Sequence, residues 1–397
     1  MSTNRSSYDD ELSSIVAQLN RAAPSGKAPH HASPLPMPVP QVPGDGSLAL
    51  DSFFAYAVEQ GASDLLVIAE SPITLRIAGS LTPIASPSLS AEDTHSLLVE
   101  ILTPAQQAQL QRSRSVDLCF SRPGIGRFRA NVHYQRGTLS GSFRLLPETV
   151  PTLESLHLPP MLRRFAEARQ GLVLITGPTG CGKTSTLAAL VDQINTERHH
   201  HIVTIEDPIE YVHANRASVI EQIEVGSDAP DFAGSLRSIL RQNPDVILVG
   251  EMRDAETIAT VLTAAETGHL VLSTLHTNDT SQAVSRILDS FPMASQSQIR
   301  QQLSLALLAI VAQQLIPSPS GLRYPAVEIL MANSAVRNLI RKGEDQQLYT
   351  TVATGRNAGM IAMEQSLVEM VHSGRITAEV ATAHCFRPQD FERYLRG

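Results

Sequence analysis

The sequence contains little lysine and cysteine, and it has no long apolar segment. Lysine occurs only as Lys27, Lys183 and Lys342. The 3 cysteines lie far apart without a Cys-x-x-Cys pair, which argues against a disulfide framework and against a zinc site. No apolar run reaches the ~20 residues of a membrane-spanning helix, and the first residues lack the apolar core of a signal peptide. We therefore expect a cytoplasmic protein with reduced thiols.

The charge balance also excludes a class of ligand. The 397 residues carry a formal net charge of -8, and no segment combines basic with aromatic side chains. Because binding to a phosphate backbone needs a basic surface, nucleic acid is not expected as a partner. A hydrophobic content of 42% is ordinary for a soluble globular protein, and the length is sufficient for two domains.

Composition and periodicity divide the chain into four segments. Residues 1–46 are rich in proline and predict a disordered tail, with a partner-docking segment as the alternative. Residues 47–147 mix strand and helix patterns and predict an α+β domain, and prolines mark a linker at 148–160. In residues 161–397 apolar strand patterns alternate with helix patterns, which predicts an α/β fold with a mostly parallel sheet.

Two helical predictions within these domains are specific enough to test. Residues 90–110 of the first domain are predicted to be helical. In the second domain the chain from about residue 296 is predicted to be mostly helical, and the apolar run at residues 303–312 is predicted as a buried helix.

A glycine-rich loop between a strand pattern and a helix pattern is the most informative segment. The apolar run at residues 172–175 precedes Gly-Pro-Thr-Gly-Cys-Gly-Lys-Thr, which fits G-x-x-x-x-G-K-[ST]. Glycines let backbone N–H groups face phosphate oxygens beside the positive end of a helix. Lys183 is expected to reach the β- and γ-phosphates, and Thr184 is expected to ligate Mg²⁺. The predicted nucleotide-binding residues of the loop are Gly177, Pro178, Thr179, Gly180, Cys181, Gly182, Lys183, Thr184 and Ser185.

Two acidic segments follow strand patterns. Residues 245–251 form a buried-strand pattern that ends at Glu251; we expect this strand beside that of the glycine-rich loop, with Glu251 polarising the attacking water. Glu206, Asp207 and Glu210 form a second cluster. Neighbouring carboxylates repel unless a cation lies among them, so Glu206 and Asp207 are predicted to hold Mg²⁺, partly through water. A solvated acidic turn is the alternative.

Histidines and arginines complete the set of candidates. His269 and His276 flank an apolar strand pattern, and a histidine at a strand end can contact the γ-phosphate; a purely structural role is the alternative for each. Arginines supplied by another domain or subunit commonly meet γ-phosphate charge. The first domain offers Arg127, Arg129, Arg136 and Arg144.

These residues resemble the four motifs of the type II/IV secretion ATPase superfamily, namely the Walker A, Asp box, atypical Walker B and His box. The corresponding segments are residues 177–184, 204–210, 245–254 and 267–277. Within that superfamily the sequence resembles the PilT family of pilus-retraction ATPases. Ala-Val-Arg-Asn-Leu-Ile at residues 335–340 is similar to the motif of that family, and the zinc-binding cysteines of assembly ATPases are missing.

The resemblance implies a homohexamer whose subunits have a PAS-like N-terminal domain and a RecA-like ATPase domain. It implies ATP and Mg²⁺ as cofactors, Glu251 as the catalytic residue with Glu210 as its helper, and Arg129 and Arg144 at the nucleotide site. Hydrolysis would drive pilin depolymerisation and twitching motility through an inner-membrane platform protein. The resemblance places the motor on the cytoplasmic side of that membrane, with a paralogous retraction ATPase as a further partner.

Other functions remain open at this point. An accessory retraction ATPase of the PilU type, a pilus-assembly ATPase and a type II secretion ATPase would share the same chemistry. A scaffold that binds nucleotide without hydrolysing it belongs to a different class, and the presence of Lys183, Thr184, Glu210 and Glu251 argues against it.

Overall fold

The computed structural model describes residues 50–396, and this part of the chain divides into two compact units. The first unit comprises residues 50–117 and 130–144, and the second comprises residues 118–129 and 145–396. The domain boundaries predicted from the sequence stay predictions. The predicted tail at residues 1–46 lies outside the described residues.

The described chain up to residue 146 contains three helices and the strands of the first sheet. Helix α1 buries Leu50, Phe53 and Phe54 along one face, as expected from an amphipathic spacing of three and four residues. The elements are α1 (Leu50–Glu59), β1 (Asp64–Val67), β2 (Thr74–Ile77), β3 (Ser80–Pro83), α2 (Ala91–Glu100), α3 (Pro104–Ser113), β4 (Ser115–Arg122), β5 (Gly126–Gln135) and β6 (Thr138–Leu146). Among the described residues these strands form one sheet in the order β3-β2-β1-β6-β5-β4.

The segment at residues 90–110 is two helices rather than one. α2 ends at Glu100, and α3 begins after Thr103, whose side chain accepts a hydrogen bond from the Gln106 backbone. Pro104 at the first helical position has no N–H to contribute to a continuous helix. The break between the two helices is therefore set by the capping residues, and the spacing of apolar residues gives no sign of it.

The second unit contains the larger sheet. Its elements are α4 (Arg163–Glu167), β7 (Gly171–Thr176), α5 (Lys183–Glu197), β8 (His201–Glu206), β9 (Val219–Glu224), α6 (Phe232–Ile239), β10 (Val246–Val249), α7 (Ala255–Glu266), β11 (Leu270–Leu275), α8 (Thr280–Asp289), α9 (Met293–Ala306), β12 (Leu307–Pro317), β13 (Arg323–Met331), α10 (Ser334–Lys342), α11 (Leu348–Thr354), α12 (Met363–His372), α13 (Ala378–His384) and α14 (Pro388–Leu395). No helix in residues 50–396 is both long and apolar enough to cross a membrane.

The sheet of this unit is mostly parallel and is buried on both faces. Within the described residues its order is β13-β12-β7-β11-β10-β8-β9, and β12 with β13 is the antiparallel pair. Alternate residues of β7 enter different apolar clusters: Leu172 and Leu174 pack on one side, and Val173 and Ile175 pack on the other. The predicted α/β fold class is confirmed, whereas the PAS-like character of the first domain stays a prediction.

The helical prediction for residues 303–312 is wrong beyond Ala306. There α9 ends and the chain continues as β12, which pairs with β7 on one side and β13 on the other. A short apolar run fits a buried helix and a buried strand equally well by spacing, and the β-branched Ile310 and Val311 favour the strand. The region from residue 296 is consequently mixed, with two strands among its helices.

The prediction that β10 lies directly beside β7 is also wrong. β11 lies between them and pairs in parallel with both. The sheet therefore presents the loop after β7, the end of β11 and the end of β10 side by side along its carboxyl edge.

Candidate active site

The glycine-rich loop closes tightly between β7 and α5. Gly177 and Gly182 have φ of 146° and 91°, a region that side chains disfavour. A Cβ atom at Gly177 would lie 2.3 Å from the Gln313 carbonyl oxygen, so only glycine fits this approach. Gly182 directly precedes α5, whose first N–H groups and positive dipole end face the loop, an arrangement suited to phosphate. Pro178, Thr179 and Gly180 are exposed at the tip.

Lys183 lies under this loop with its side chain largely buried. Its Nζ donates to the carbonyl oxygens of Gly177 at 2.8 Å and Pro178 at 3.2 Å. Burial lowers the pKa of the Lys183 amine, and the Cys181 thiol and the Glu251 carboxylate act in the opposite direction. The ammonium is thus held at the loop by carbonyl dipoles that a phosphate can replace.

His276 connects Lys183 with Glu251. Its Nδ1 lies 3.4 Å from Lys183 Nζ, and its Nε2 lies 3.4 Å from Glu251 Oε2. The other Glu251 oxygen forms an ion pair with Arg253. Because β11 separates β7 from β10, its end places an imidazole between the cation of one strand and the carboxylate of the other.

Hydroxyl groups fix the strand ends that carry these side chains. Thr176 Oγ1 accepts from the Thr277 N–H at 2.9 Å and lies 2.8 Å from the Thr277 carbonyl oxygen, joining the ends of β7 and β11. Thr274 Oγ1 donates to the Gly250 carbonyl at 2.6 Å, joining β11 to β10. These bonds hold the backbone on either side of His276 and just before Glu251.

The acidic turn after β8 has one buried and two more accessible carboxylates. Glu206 is 8% exposed and accepts hydrogen bonds from Thr204 Oγ1 at 2.8 Å and Gln222 Nε2 at 3.1 Å. Burial raises the pKa of Glu206 despite these bonds. Asp207 is exposed and Glu210 is half-buried. The geometry of Glu206 is that of a brace within the turn, which differs from its predicted role as a metal ligand.

Tyr211 brings this turn to the glycine-rich loop. The Tyr211 hydroxyl and Ser185 Oγ in the first turn of α5 are 2.8 Å apart. Asp207 interacts electrostatically with Arg253, which also pairs with Glu251. The structure therefore assembles the loop, the acidic turn, His276 and Glu251 at one edge of the sheet.

His269 is not part of this assembly. It precedes β11, and its Nδ1 lies 3.0 Å from the Ala264 carbonyl oxygen. The six residues of β11, at ~3.3 Å each, separate the two histidines by roughly 20 Å. The prediction that His269 acts with His276 is wrong in geometric terms, because residues at opposite ends of a strand lie at opposite edges of the sheet.

The two arginines predicted for the nucleotide site lie on strands of the first sheet. Arg129 is exposed on β5. Arg144 lies on β6 and donates through Nε to Asp64 on β1 at 3.2 Å. Their role at a nucleotide site stays a prediction.

Sequence reasoning missed three side chains that shape the site. Arg253 pairs with Glu251, Tyr211 contacts Ser185, and Gln313 contacts the loop from β12. For Gln313 a signal was present, since Gln313 and Gln314 interrupt an otherwise apolar run. Tyr211 gave no comparable signal, because its partner is distant in sequence.

The residues fit a nucleotide better than they fit a metal ion alone. The loop offers a glycine cradle, a helix N-terminus and a buried ammonium, which match phosphate oxygens. In residues 50–396 no group of three His, Cys, Asp or Glu side chains converges as a metal site. The Thr184 hydroxyl and the accessible carboxylates of the acidic turn are oxygen donors that a phosphate-bound Mg²⁺ would accept.

Comparison with known proteins identifies the family. A family model described as type II/IV secretion system protein matches residues 156–382. The chain belongs to this family. It is 40% identical to the type IV pilus retraction ATPase PilT of Pseudomonas aeruginosa, over 86% of this chain and 99% of that protein. It is 38% identical to the type IV pilus ATPase PilU of the same organism, over 85% of this chain and 89% of that protein.

A solved structure agrees with this placement. The crystal structure of the pilus retraction motor PilT with bound ADP superposes with a TM-score of 0.82 at 43% identity, covering 87% of this chain and 99% of that one. The resemblance to pilus-retraction ATPases drawn from the motifs is thereby confirmed. Members of this family are ATPases, and the related structure binds a nucleotide.

Proposed function

We propose that this protein is an ATP-hydrolysing motor that drives retraction of type IV pili and thereby twitching motility. The observation that carries the proposal is the contact series from Lys183 through His276 to Glu251 beneath the glycine-rich loop. It unites a phosphate-binding cation, a hydrogen-bonding imidazole and a base near the place where a γ-phosphate would lie. The names and coverage of the relatives support the assignment of the mechanical output.

Each side chain has a distinct task in this proposal. The Lys183 ammonium exchanges its loop carbonyl partners for β- and γ-phosphate oxygens. Glu251 orients and polarises the attacking water, and Glu210 assists it from the acidic turn. His276 contacts both Lys183 and Glu251, so its hydrogen bonds change when phosphate charge appears or leaves. Arg253 pairs with one oxygen of the Glu251 carboxylate and thereby helps to orient it.

Mg²⁺ is the cation that the substrate phosphates would bring. When bound, it would neutralise part of the phosphate charge. Thr184 at the start of α5 and Asp207 in the exposed part of the acidic turn are the residues that would hold it, directly or through water. Glu206 would keep the turn in shape rather than ligate the ion, because its carboxylate already serves internal donors.

The assembly and the partners belong to the same proposal. We infer a homohexamer in which Arg129 and Arg144 approach the nucleotide site, acting on an inner-membrane platform protein at the pilus base from the cytoplasmic side. In α10, Val336 and Ile340 are buried, whereas Ala335 and Asn338 are exposed and are free to contact another protein. The motif at residues 335–340 thus has a structural face and an outward face.

An accessory retraction role is the second candidate. It is supported by the near-equal identity to PilU, 38% against 40% for PilT. Both roles require hydrolysis at the same site. The two roles differ in a cell that contains this protein as its one retraction ATPase. A main motor would sustain retraction there, and an accessory ATPase would not.

Phosphate release tests the enzymatic part of the proposal. Purified protein with ATP and Mg²⁺ is expected to release phosphate steadily, and Lys183→Ala is expected to abolish this because the γ-phosphate loses its cation. Glu251→Gln serves as a second variant that should bind nucleotide without turnover. Equal phosphate release by the unmodified protein and Lys183→Ala would sink the enzyme assignment.

A further inference from the structure

Gln313 occupies the point where β7 gives way to the glycine-rich loop. β12 runs parallel to β7, and Ala312 pairs with Thr176, the last residue of that strand. The next residue, Gln313, therefore lies level with the start of the loop. It is only 3% exposed, which is unusual for an amide side chain and requires hydrogen-bond partners.

Both ends of the Gln313 amide are used on the loop and the helix that follows it. Its Nε2 donates to the Cys181 carbonyl oxygen at 2.6 Å, and its Oε1 accepts from Thr186 Oγ1 at 2.8 Å. The loop is also packed against this residue: a Cβ atom at Gly182 would lie 2.9 Å from Gln313 Nε2. The amide thus spans the last peptide of the loop and the first turn of α5.

The bond to Cys181 determines which way the adjacent peptide faces. In a trans peptide the carbonyl of one residue and the N–H of the next point in opposite directions. With the Cys181 carbonyl held by Gln313, the Gly182 N–H is directed away from β12. Without the bond to Gln313, the peptide between Cys181 and Gly182 would be able to turn its carbonyl oxygen toward a phosphate. The partial negative charge of that oxygen would then repel the phosphate oxygens.

We propose that Gln313 is a positioning residue that sets the phosphate-binding shape of the loop. It contacts no substrate atom and acts through Cys181 and Thr186. The inference rests on the proposed nucleotide site, and it extends that site to β12, a strand outside the four motifs. Nucleotide affinity should depend on the Gln313 amide more than folding does.

Binding of ADP and steady-state ATP hydrolysis by the full chain test this inference. Gln313→Ala should weaken ADP binding and raise KM roughly 10-fold with a smaller change in kcat, because the loop shape serves ground state and transition state alike. Gln313→Glu retains the acceptor for Thr186 but places an acceptor against the Cys181 carbonyl, so it should not rescue. Gln314→Ala is the matched control: its side chain alternates to the other side of β12 and its Nε2 has no hydrogen-bond partner.

A second route tests the same contact from the helix. Thr186→Val removes the hydroxyl at similar volume, and it should weaken ADP binding less than Gln313→Ala does. The two changes combined should cost little more than Gln313→Ala alone, since the Thr186–Gln313 bond is shared and, among the described residues, the Thr186 hydroxyl otherwise contacts only the Gly182 carbonyl at 3.1 Å. If Gln313→Ala does not fold, Thr186→Val and Gln313→Glu decide the matter, and affinities equal to that of the unmodified protein overturn the inference.

The outcomes separate this inference from the function on which it rests. If Lys183→Ala binds and hydrolyses nucleotide normally, the proposed site itself fails. If Lys183→Ala is inactive but Gln313→Ala and Gln314→Ala bind ADP equally well, the site stands and the role of Gln313 is refuted. A lower melting temperature of Gln313→Ala with unchanged affinity also refutes it, because that result describes a residue needed only for folding.

Discussion

At the scale of single residues, the site depends on where one strand ends. His276 follows β11, which the sheet inserts between the strands that carry Lys183 and Glu251. Its two ring nitrogens each lie 3.4 Å from one of these charged groups. His276 therefore contacts both charged groups of the site.

Replacing His276 should therefore impair turnover. We expect His276→Ala to lower kcat roughly 100-fold, the cost typical of losing one donor at a developing charge. His269→Ala is the matched control, since it removes the histidine at the other end of the same strand and should leave kcat within about twofold. Steady-state phosphate release measures both, and a larger loss from His269→Ala would contradict the assignment.

Glu328 makes stability depend on pH. Its Oε1 accepts from Thr280 N at 2.9 Å and Oγ1 at 2.7 Å, while its Oε2 is buried without a hydrogen-bond partner. Burial, and to a smaller extent Asp279 and Glu364, raise the pKa of this carboxyl above 4.5. The folded state therefore holds the proton more tightly than the unfolded chain does. The contribution to stability is full below about pH 4.5 and is lost as the pH rises through the raised pKa.

The matching variant is Glu328→Gln, which stays neutral at every pH. Its melting temperature should exceed that of the unmodified protein near pH 8, and the difference should vanish toward pH 4. Thermal melts across this range provide the measurement. A difference that is the same at all pH values would show that titration of Glu328 is not its cause.

The residues of the site could be predicted where they lie in contiguous motifs. Lys183, Glu251 and His276 follow strand patterns, so their convergence at one edge was predictable from the parallel sheet. Gln313 and Tyr211 act across 132 and 26 residues of sequence, and spacing carries no information about such contacts. His269 shows the limit of this reasoning: it lies within a motif, at residues 267–277, yet at the opposite end of β11 from the site.

At the scale of elements, Arg337 joins α10 to the end of α9. Its guanidinium donates to the carbonyl oxygens of Leu305 at 2.6 Å and Leu307 at 2.9 Å, and it also donates to Ser304. The last carbonyls of a helix lack partners within the helix, and a cation there also matches the helix dipole. Arg337 thus caps α9 at the point where β12 begins.

Loss of this cap should destabilise the second unit. We expect Arg337→Ala to lower the free energy of unfolding by roughly 1–3 kcal/mol, because it leaves several partly buried carbonyls without their donor. Arg337→Lys should not restore it, because an ammonium cannot reach several carbonyls in one plane. Arg341→Ala on the same helix, at an exposed position, should change stability by less than about 0.5 kcal/mol. Denaturant unfolding measures all three, and equal effects of Arg337→Ala and Arg341→Ala would contradict the capping role.

Elements with strong periodicity could be predicted, and elements set by tertiary pairing could not. The strand predicted at His201–Glu206 and the helix predicted at Ala255–Glu266 coincide with β8 and α7. The strand predicted at Leu172–Thr176 and the helix predicted at Thr184–Ile194 differ from β7 and α5 only at their ends. β12 was predicted as a helix because an apolar run of this length has no periodicity that separates the two states. The strand results from pairing with β7 and β13, which the local sequence does not encode.

At the scale of the whole molecule, the nucleotide site has to be coupled to mechanical work. The second unit carries the site and the motif at residues 335–340, which lies on α10 next to the β12 strand that braces the glycine-rich loop. The strand β12 connects the two: Gln313 near its middle contacts the loop, and its first residue, Leu307, accepts a hydrogen bond from Arg337 on α10. This connection through one strand fits a motor in which hydrolysis alters a surface that another protein contacts.

Direct observation of pilus retraction tests the central claim most sharply. Surface pili would be labelled in cells whose only retraction ATPase is this protein, either unmodified or carrying Glu251→Ala, with His269→Ala as the control. Glu251→Ala cells should keep and accumulate surface pili without retraction events, while His269→Ala cells should retract normally. Disappearance of surface pili in Glu251→Ala cells would identify an assembly motor instead, and continued retraction in those cells would show that hydrolysis at this site does not drive it.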